Sequence, residues 1–448
     1  MQQSINIIGA GLAGCEAAYY LAELGFQVIL YEMRPKLMTP AHKTDQCAEL
    51  VCSNSFKSKS PYSAPGMLKA ELSKLGSLTL RAAGSSVIEA GEALAVDRKI
   101  FAETVTRAIS SHPNIVKINQ EVTSAPEKGI TIIASGPLTS DGLTNWLLKK
   151  TGSENLYFYD AIAPVIDAST IDLSKAFVAN RYGKGEEEVY LNCPLDEIEY
   201  YQFVDTLLAA EKVTLRAFEK EKFFQGCQPI EAIAEAGRNS LRFGPMKPVG
   251  LSDPRSDQKP FAVVQLRPEN HSKNAYNMVG FQTKLKYEEQ KRVLRSIPAL
   301  KNAEFLRFGS IHRNTYINSP SVLNPDLSLK QLPRTYVAGQ ITGVEGYLES
   351  AASGLLAAIF SSQRALGFPH SAPPANTCLG ALLRHVVATD PVKYQPSNVH
   401  FGLFNQSLFL GLTGKKRDEV RKIIAEQAIE NFISWLEEIR PAEKGRQP

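Results

Sequence analysis

The stretch SINIIGAGLAGCEAAYYLAELGFQVILYE at 4–32 constrains the fold more than any other part of the chain. Ile5 to Ile8 reads as a short apolar strand, and Gly9-Ala10-Gly11-Leu12-Ala13-Gly14 as a GxGxxG turn. Ala17 to Leu24 continues as helix, Gly25 stops it, and Gln27 to Tyr31 is a second apolar strand closed by Glu32. Strand, glycine turn, helix, strand and acid in this order predict a β-α-β unit that binds a dinucleotide. Gly9 permits the turn, Gly11 lets backbone approach a pyrophosphate, and Gly14 lets helix and strand pack closely. Free N–H groups at the helix start suit phosphates. Glu32 can accept from a ribose 2′-hydroxyl and would repel a 2′-phosphate. The pattern assigns Gly9, Ala10, Gly11, Leu12, Ala13, Gly14 and Glu32 to the dinucleotide, without separating FAD from NAD.

The rest of the chain extends this unit. Met67 to Leu80 has helical leucine spacing, and Asp97 is placed to cap a helix from Arg98 to Ser110. Ile115–Asn119 and Gly129–Ala134 predict strands, Leu143–Lys150 a helix, and Leu156–Ile166 a further strand region. Gln46 to Ser58 predicts one or two helical turns leading into a loop. Composition shifts between Leu173 and Gly185, and residues 175–328 read as an inserted, smaller α+β domain. Thr335–Ala338, the turn Gly339-Gln340-Ile341-Thr342-Gly343 and a long helix from Glu345 to Gln363, mildly broken at Gly354, return the chain to the nucleotide domain. The tail from Lys415 to Lys444 predicts a helix burying Phe432, Trp435 and Leu436. The expected fold is α/β: a Rossmann-like nucleotide-binding domain in two parts, 1–174 and 329–448, around the insert.

Charge and cysteine usage bound the functional class. The net charge of +4, from 50 basic and 46 acidic side chains, permits nucleic-acid contact without arguing for it, so a basic surface must come from clustering. Six cysteines in 448 residues, with no charged and apolar leader before them, predict a reducing, cytoplasmic setting rather than a disulfide framework. No membrane span is expected, and no zinc-like CxxC pair suggests a metal.

Cys47 and Cys52 form a C-x4-C pair that would suit a flavin-linked disulfide reductase. Their flanks, DQCAELVCSNS, lack the glycines of such a redox pair, no second GxGxxG follows, and no C-terminal histidine-glutamate pairing appears. Cys15 and Cys378 read as buried small hydrophobes. Cys52, between Val51 and Ser53-Asn54-Ser55, and Cys227, between Gly226 and Gln228-Pro229, sit where sulfur can be exposed. Either thiol would need a nearby cation or helix terminus to attack near neutrality. Basic residues cluster with aromatics at Lys57 and Lys59 beside Phe56 and Tyr62, and at Arg238, Arg242, Lys247 and Arg255 around Phe243. A third cluster holds His271, Lys273, Lys284, Lys286, Lys291 and Arg292. Such groups can bind phosphates and stack on bases or a pteridine. A solvated surface is the competing account for each single charge.

Several long segments are more specific. They are TPAHKTDQCAELVCSNSFKS at 39–58, ALAVDR at 93–98, GCQPIEAIAEAG at 226–237, LRFGPMKPVGLSDPR at 241–255, VVQLRPEN at 263–270, NMVGFQTKLK at 277–286, IHRNTYINSP at 311–320 and AGQITGVEGYLESAASGLLA at 338–357. Through them the chain closely resembles the folate- and FAD-dependent tRNA (uracil-5-)-methyltransferase family, and it looks like a shorter cousin of flavoproteins that modify wobble uridines. The resemblance implies methylation of carbon 5 of the T-loop uridine of tRNA, with 5,10-methylenetetrahydrofolate as carbon donor and FAD reduced by NADH or NADPH. It implies that Cys52 and Cys227 are the reacting pair, Cys227 as nucleophile at uracil C6 and Cys52 as its partner or acid/base. Gly339, Gln340 and Gly343 would join the FAD site. Lys57, Arg98, Arg238, Arg242, Lys247, Lys284, Lys286 and Arg313 would contact substrate. No stable protein partner is implied. Glu92 stands where the family commonly has glycine, and Cys47 where an aromatic is common, so Cys47 receives no catalytic role.

Overall fold

The computed structural model describes residues 4–126, 128–152, 156–184, 187–213, 228–256, 258–404 and 414–444. The opening unit forms as its sequence dictates: β1 (Ser4–Ile8), α1 (Leu12–Glu23) and β2 (Gln27–Glu32). β1 pairs in parallel with β2 on one side and with Ile130–Ile133 on the other. Beyond these lie Ile115–Asn119 next to β2, and Leu332–Val337 next to Ile130–Ile133, both parallel. An antiparallel strand, Ser328–Leu329, completes the six-stranded sheet. Ile5, Ile7, Leu30 and Ile132 are fully buried, as expected for parallel strands covered on both faces. The connections diverge on either side of β1, so the crevice above its C-terminal end is the topological switch point where such sheets bind ligands.

The returning helix, Tyr347–Leu366, runs unbroken through Gly354, contrary to the expected interruption. Gly354 serves packing instead. A Cβ there would lie 2.2 Å from the Ala13 carbonyl oxygen, so the glycine lets this helix press onto the start of α1. Gly14 does the same for the helix–strand contact, since a Cβ on it would meet the Gly9 carbonyl oxygen at 1.8 Å.

A second six-stranded sheet is antiparallel, in the order Phe177–Val178, Leu191–Leu195, Ala262–Pro268, Ala275–Met278, Val165–Asp167 and Phe305–Arg307. Helices Glu197–Leu208 and Tyr287–Leu294 bury Phe203, Val204, Leu207, Val293 and Leu294 in its core. Asp196 and Glu199 form a reciprocal capping box on the first of these. Two paired strands, Leu156–Ile162 and Ser310–Tyr316, carry the chain out of the parallel sheet and back.

Two further local expectations fail. Met67–Leu80 is two helices, Ala64–Lys74 and Leu78–Ser85. Gly76 takes a left-handed φ of +72°, and the buried Glu16 carboxylate accepts from the N–H groups of Leu78 and Thr79, starting the second helix afresh. Gln46–Ser58 contains no helical turn; it is a loop ending in the strand Ser55–Ser58. Among the described residues no helix is long and apolar enough to cross a membrane.

Candidate functional site

The glycine turn and Glu32 build one end of the site. The Ala10 N–H donates to Glu32 Oε2 at 2.9 Å, while the Arg34 N–H and Nε donate to Oε1 at 3.1 and 2.9 Å. Burial alone would raise the Glu32 carboxyl, but the Arg34 guanidinium and these N–H groups bring it below its usual range. Glu32 is therefore ionised and fixed beside the turn. A cavity of about 50 Å³ opens beside it, lined by Gly9, Glu32, Met33, Gln120, Ser135 and Thr139. A Cβ on Gly11 would meet nothing within 4 Å, which leaves its backbone open to a phosphate. These features fit FAD: an acid for the ribose hydroxyl, a bare helix start for the pyrophosphate, and a crevice leading inward.

The second glycine turn continues that crevice. Gly339 (φ +81°) donates its N–H to Ser353 Oγ at 3.1 Å, and Gly343 (φ +92°) packs against Tyr394. Gln340 Nε2 donates to Glu345 Oε2 at 2.7 Å, and both side chains line a cavity of about 250 Å³. Cys52, Lys57, Tyr347 and Asn314 line the same cavity.

Side chains from three distant parts of the chain hold the Cys52 loop. The N–H groups of Cys52 and Ser53 both donate to the Tyr347 hydroxyl oxygen at 3.0 Å, and that hydroxyl donates to the Ser53 carbonyl at 2.9 Å. Arg98 Nη1 donates to the Leu50 carbonyl at 3.0 Å, and its Nη2 to the Cys52 carbonyl at 3.3 Å. Arg307 Nη1 and Nη2 donate to the carbonyls of Val51 and Cys52 at 3.2 and 3.4 Å. Three successive carbonyls are thus engaged by guanidiniums from outside the segment, which hold the backbone in a non-helical path. This explains the failed helical expectation. Arg98 Nη2 also donates to Glu269 Oε1 at 2.9 Å; its Nε lies 2.7 Å from Oε2 but off the hydrogen-bonding line. Burial, with Arg98 nearby, pulls the Arg307 guanidinium down to about 10, so it remains charged at neutral pH.

Lys57 projects to the cavity from a residue with φ +64°, and its ammonium lies 2.8 Å from the fully buried Glu349 carboxylate. Cys227 lies outside the described residues. The described chain resumes at Gln228, and the Ile230 N–H donates to the carbonyl of Gln282, a residue lining the Cys52 cavity.

Among the described side chains, Arg238, Arg242, Lys247, Lys284 and Lys286 do not line that cavity. Arg238 pairs with Asp205 and lies over the Tyr201 ring. The Arg242 guanidinium sits 3.5 Å from the Phe261 ring centroid, with Nε donating to the Phe261 carbonyl. Lys247 is exposed, Lys284 is buried, and Lys286 pairs with Glu211. Arg313 belongs to the strand Ser310–Tyr316, but its side chain lies outside the described residues. Cys47 is fully buried, with its N–H donating to Thr106 Oγ1 at 2.9 Å, and it is not among the residues that line the cavity with Cys52. Sequence reasoning missed Tyr347, Glu349, Glu269 and Arg307. The first two stood in the EGYLES segment after the second glycine turn. Arg307, in an ordinary strand, carried no signal.

The sequence profile of the family "Glucose inhibited division protein A" matches residues 4–369. "Methylenetetrahydrofolate--tRNA-(uracil-5-)-methyltransferase TrmFO" of Geobacter sulfurreducens is 52% identical over 437 residues, covering 97% of this chain and 99% of that protein. The chain belongs to the TrmFO family. Its TrmFO relative from Aquifex aeolicus is 51% identical over 440 residues, covering 98% of this chain and 97% of the relative. The likeness to these TrmFO proteins therefore spans both sheets. Aquifex aeolicus GidA in its form II crystal superposes with a TM-score of 0.66 at 17% identity, covering 98% of this chain and 76% of that one. That likeness shows a shared fold. Both glycine turns, Cys52 and Cys227 fall inside the matched profile, and the helix Gly414–Lys444 falls beyond it.

Proposed function

We propose that this chain methylates carbon 5 of the T-loop uridine of tRNA, drawing the carbon from 5,10-methylenetetrahydrofolate and using FAD reduced by NADH or NADPH. The observation that carries the reading is the Cys52 loop, pinned by Tyr347, Arg98 and Arg307, in the wall of a cavity that also contains Gln340 and Glu345 after the second glycine turn. The sequences named TrmFO supply the substrate class.

Uracil C5 becomes nucleophilic once a thiolate adds at C6, which gives a cysteine its role. Cys227 is the nucleophile in this reading, and Cys52 serves as its partner in proton transfer. Lys57, held by Glu349, contributes positive charge at the cavity wall for an oxygen that gains charge during addition. Bound FAD supplies the reducing electrons, while Glu32, the first glycine turn, Gly339, Gln340 and Gly343 orient it. The uridine must leave its stack to reach the cavity. Arg98 acts through the Cys52 loop, whose carbonyls it holds. The remaining basic residues at Arg238, Arg242, Lys247, Lys284, Lys286 and Arg313 belong in this reading to the wider RNA surface. The protein works in the cytoplasm, and it requires no stable protein partner.

Incubating the enzyme with unmodified tRNA, methylenetetrahydrofolate and reduced nicotinamide, then mapping methylated nucleosides, tests the reading. A 5-methyluridine in the T loop is expected. Modification confined to a wobble base would replace this reading with that of the larger flavoproteins.

A further inference from the structure

A second cavity, of about 890 Å³, adjoins the first and shares Ala41, Val51 and Ile162 with it. Its wall carries the guanidiniums of Arg98 and Arg307. Glu269 pairs with Arg98, while Arg307 Nε is buried without a hydrogen-bond partner among the described residues. Glu49, the carboxylate that lines this cavity, is engaged by Arg34 and by the N–H groups of Lys43 and Thr44. Exposed Lys43 and Lys99 stand at the rim, Lys99 only loosely paired, 4.0 Å from Glu103. The cavity wall therefore has excess positive charge.

Three rings on the same wall form a ladder. Phe305 stacks on Phe308 with centroids 5.4 Å apart and planes 26° from parallel; Phe308 stacks on Tyr287 at 5.1 Å and 28°. The Lys291 ammonium lies 5.6 Å from the Phe308 centroid. The ladder ends at Tyr287, which is 59% exposed, so another planar group can extend the stack. Stacked rings bordered by cations are what unpaired nucleic acid requires.

We propose that this cleft receives unpaired nucleotides flanking the target uridine, with one base stacking on Tyr287 and phosphates meeting Lys43, Lys99 and Arg307. The inference rests on the reading that tRNA is the substrate and adds where its flanking bases lie. The cleft adjoins the Cys52 cavity, so one RNA strand can occupy both.

Filter binding of an unmodified tRNA transcript to full-length flavin-loaded protein, at several salt concentrations, tests this. Tyr287→Ala should weaken binding about 5- to 100-fold, and Tyr287→Phe should stay within about twofold of wild type because the ring suffices. Lys99→Gln should weaken binding and reduce the slope of log Kd against log salt by about 1. Melting temperatures report that the variants fold. If wild type methylates tRNA but Tyr287→Ala and Lys99→Gln bind it unchanged, the cleft assignment is wrong while the activity stands. Equal losses in Tyr287→Phe and Tyr287→Ala would also overturn it. A wild-type protein that binds no tRNA would overturn both this assignment and the proposed activity.

Discussion

The Lys57 ammonium lies 2.8 Å from the carboxylate of Glu349, and Glu349 is completely buried while Lys57 is one-third exposed. The Val399 N–H donates to the same carboxylate oxygen at 2.9 Å. The pair joins the strand Ser55–Ser58 to the helix that follows the second glycine turn, so the cavity wall depends on charge compensation across 292 residues of sequence. Removing Lys57 leaves the buried carboxylate short of its counter-ion. Lys57→Met should destabilise the protein by about 3 kcal/mol. Lys57→Met with Glu349→Gln should recover part of that loss, as a double-mutant cycle by urea denaturation would show.

Arg98 serves two carbonyls and one carboxylate, which a lysine cannot match with a single ammonium. Arg98→Lys should keep the bound flavin but lower the rate of methyl transfer about 10- to 100-fold through misplacement of the Cys52 loop. Single-turnover kinetics and the flavin absorbance check the two halves. An unchanged rate would remove Arg98 from its positioning role.

The first glycine turn was legible because its structure is local: β1, α1 and β2 are contiguous, and their glycines and apolar runs follow short-range rules. The Cys52 loop was not legible. Its conformation comes from Arg98, Arg307 and Tyr347, up to 295 residues away, and nothing in QCAELVCSNS announces that its carbonyls will be claimed from outside. Met67–Leu80 failed for a related reason. The leucine spacing suited one helix, but buried Glu16 starts a second one after Gly76. The basic residues of 238–255 cluster by composition, but nothing in the sequence announced that Arg238 would pair with Asp205 and Arg242 lie over Phe261.

Gly354 permits the contact between the returning helix and the first glycine turn. A Cβ there approaches backbone, which cannot swing aside as a side chain could. Gly354→Ala should destabilise the fold by about 1–3 kcal/mol and lower flavin occupancy after purification. Thermal melting and the ratio of flavin to protein absorbance measure both. Full occupancy with wild-type stability would contradict the packing role.

Glu71 carries a pH dependence of stability. Desolvation raises its carboxyl from 4.5 to about 8, against hydrogen bonds from the N–H groups of Cys378 and Leu379. An acid whose folded pKa is raised contributes stability that is fully present below its unfolded pKa and lost as pH rises through the folded value. The wild type should therefore lose stability from this group between about pH 4.5 and pH 8, and Glu71→Gln should flatten that fall. Melting curves across this range decide; parallel curves for the two proteins would rule out Glu71 as the source.

The central claim is that Cys227 holds the pyrimidine while a folate-derived carbon reaches it. The most direct measurement is transfer of isotopic label from 5,10-methylenetetrahydrofolate to tRNA by flavin-loaded wild type, Cys52→Ser and Cys227→Ser. The account predicts label on uridine C5 with wild type, and loss of labelling with Cys227→Ser although its yellow cofactor remains. Undiminished labelling by Cys227→Ser, or none by the wild type, would contradict it.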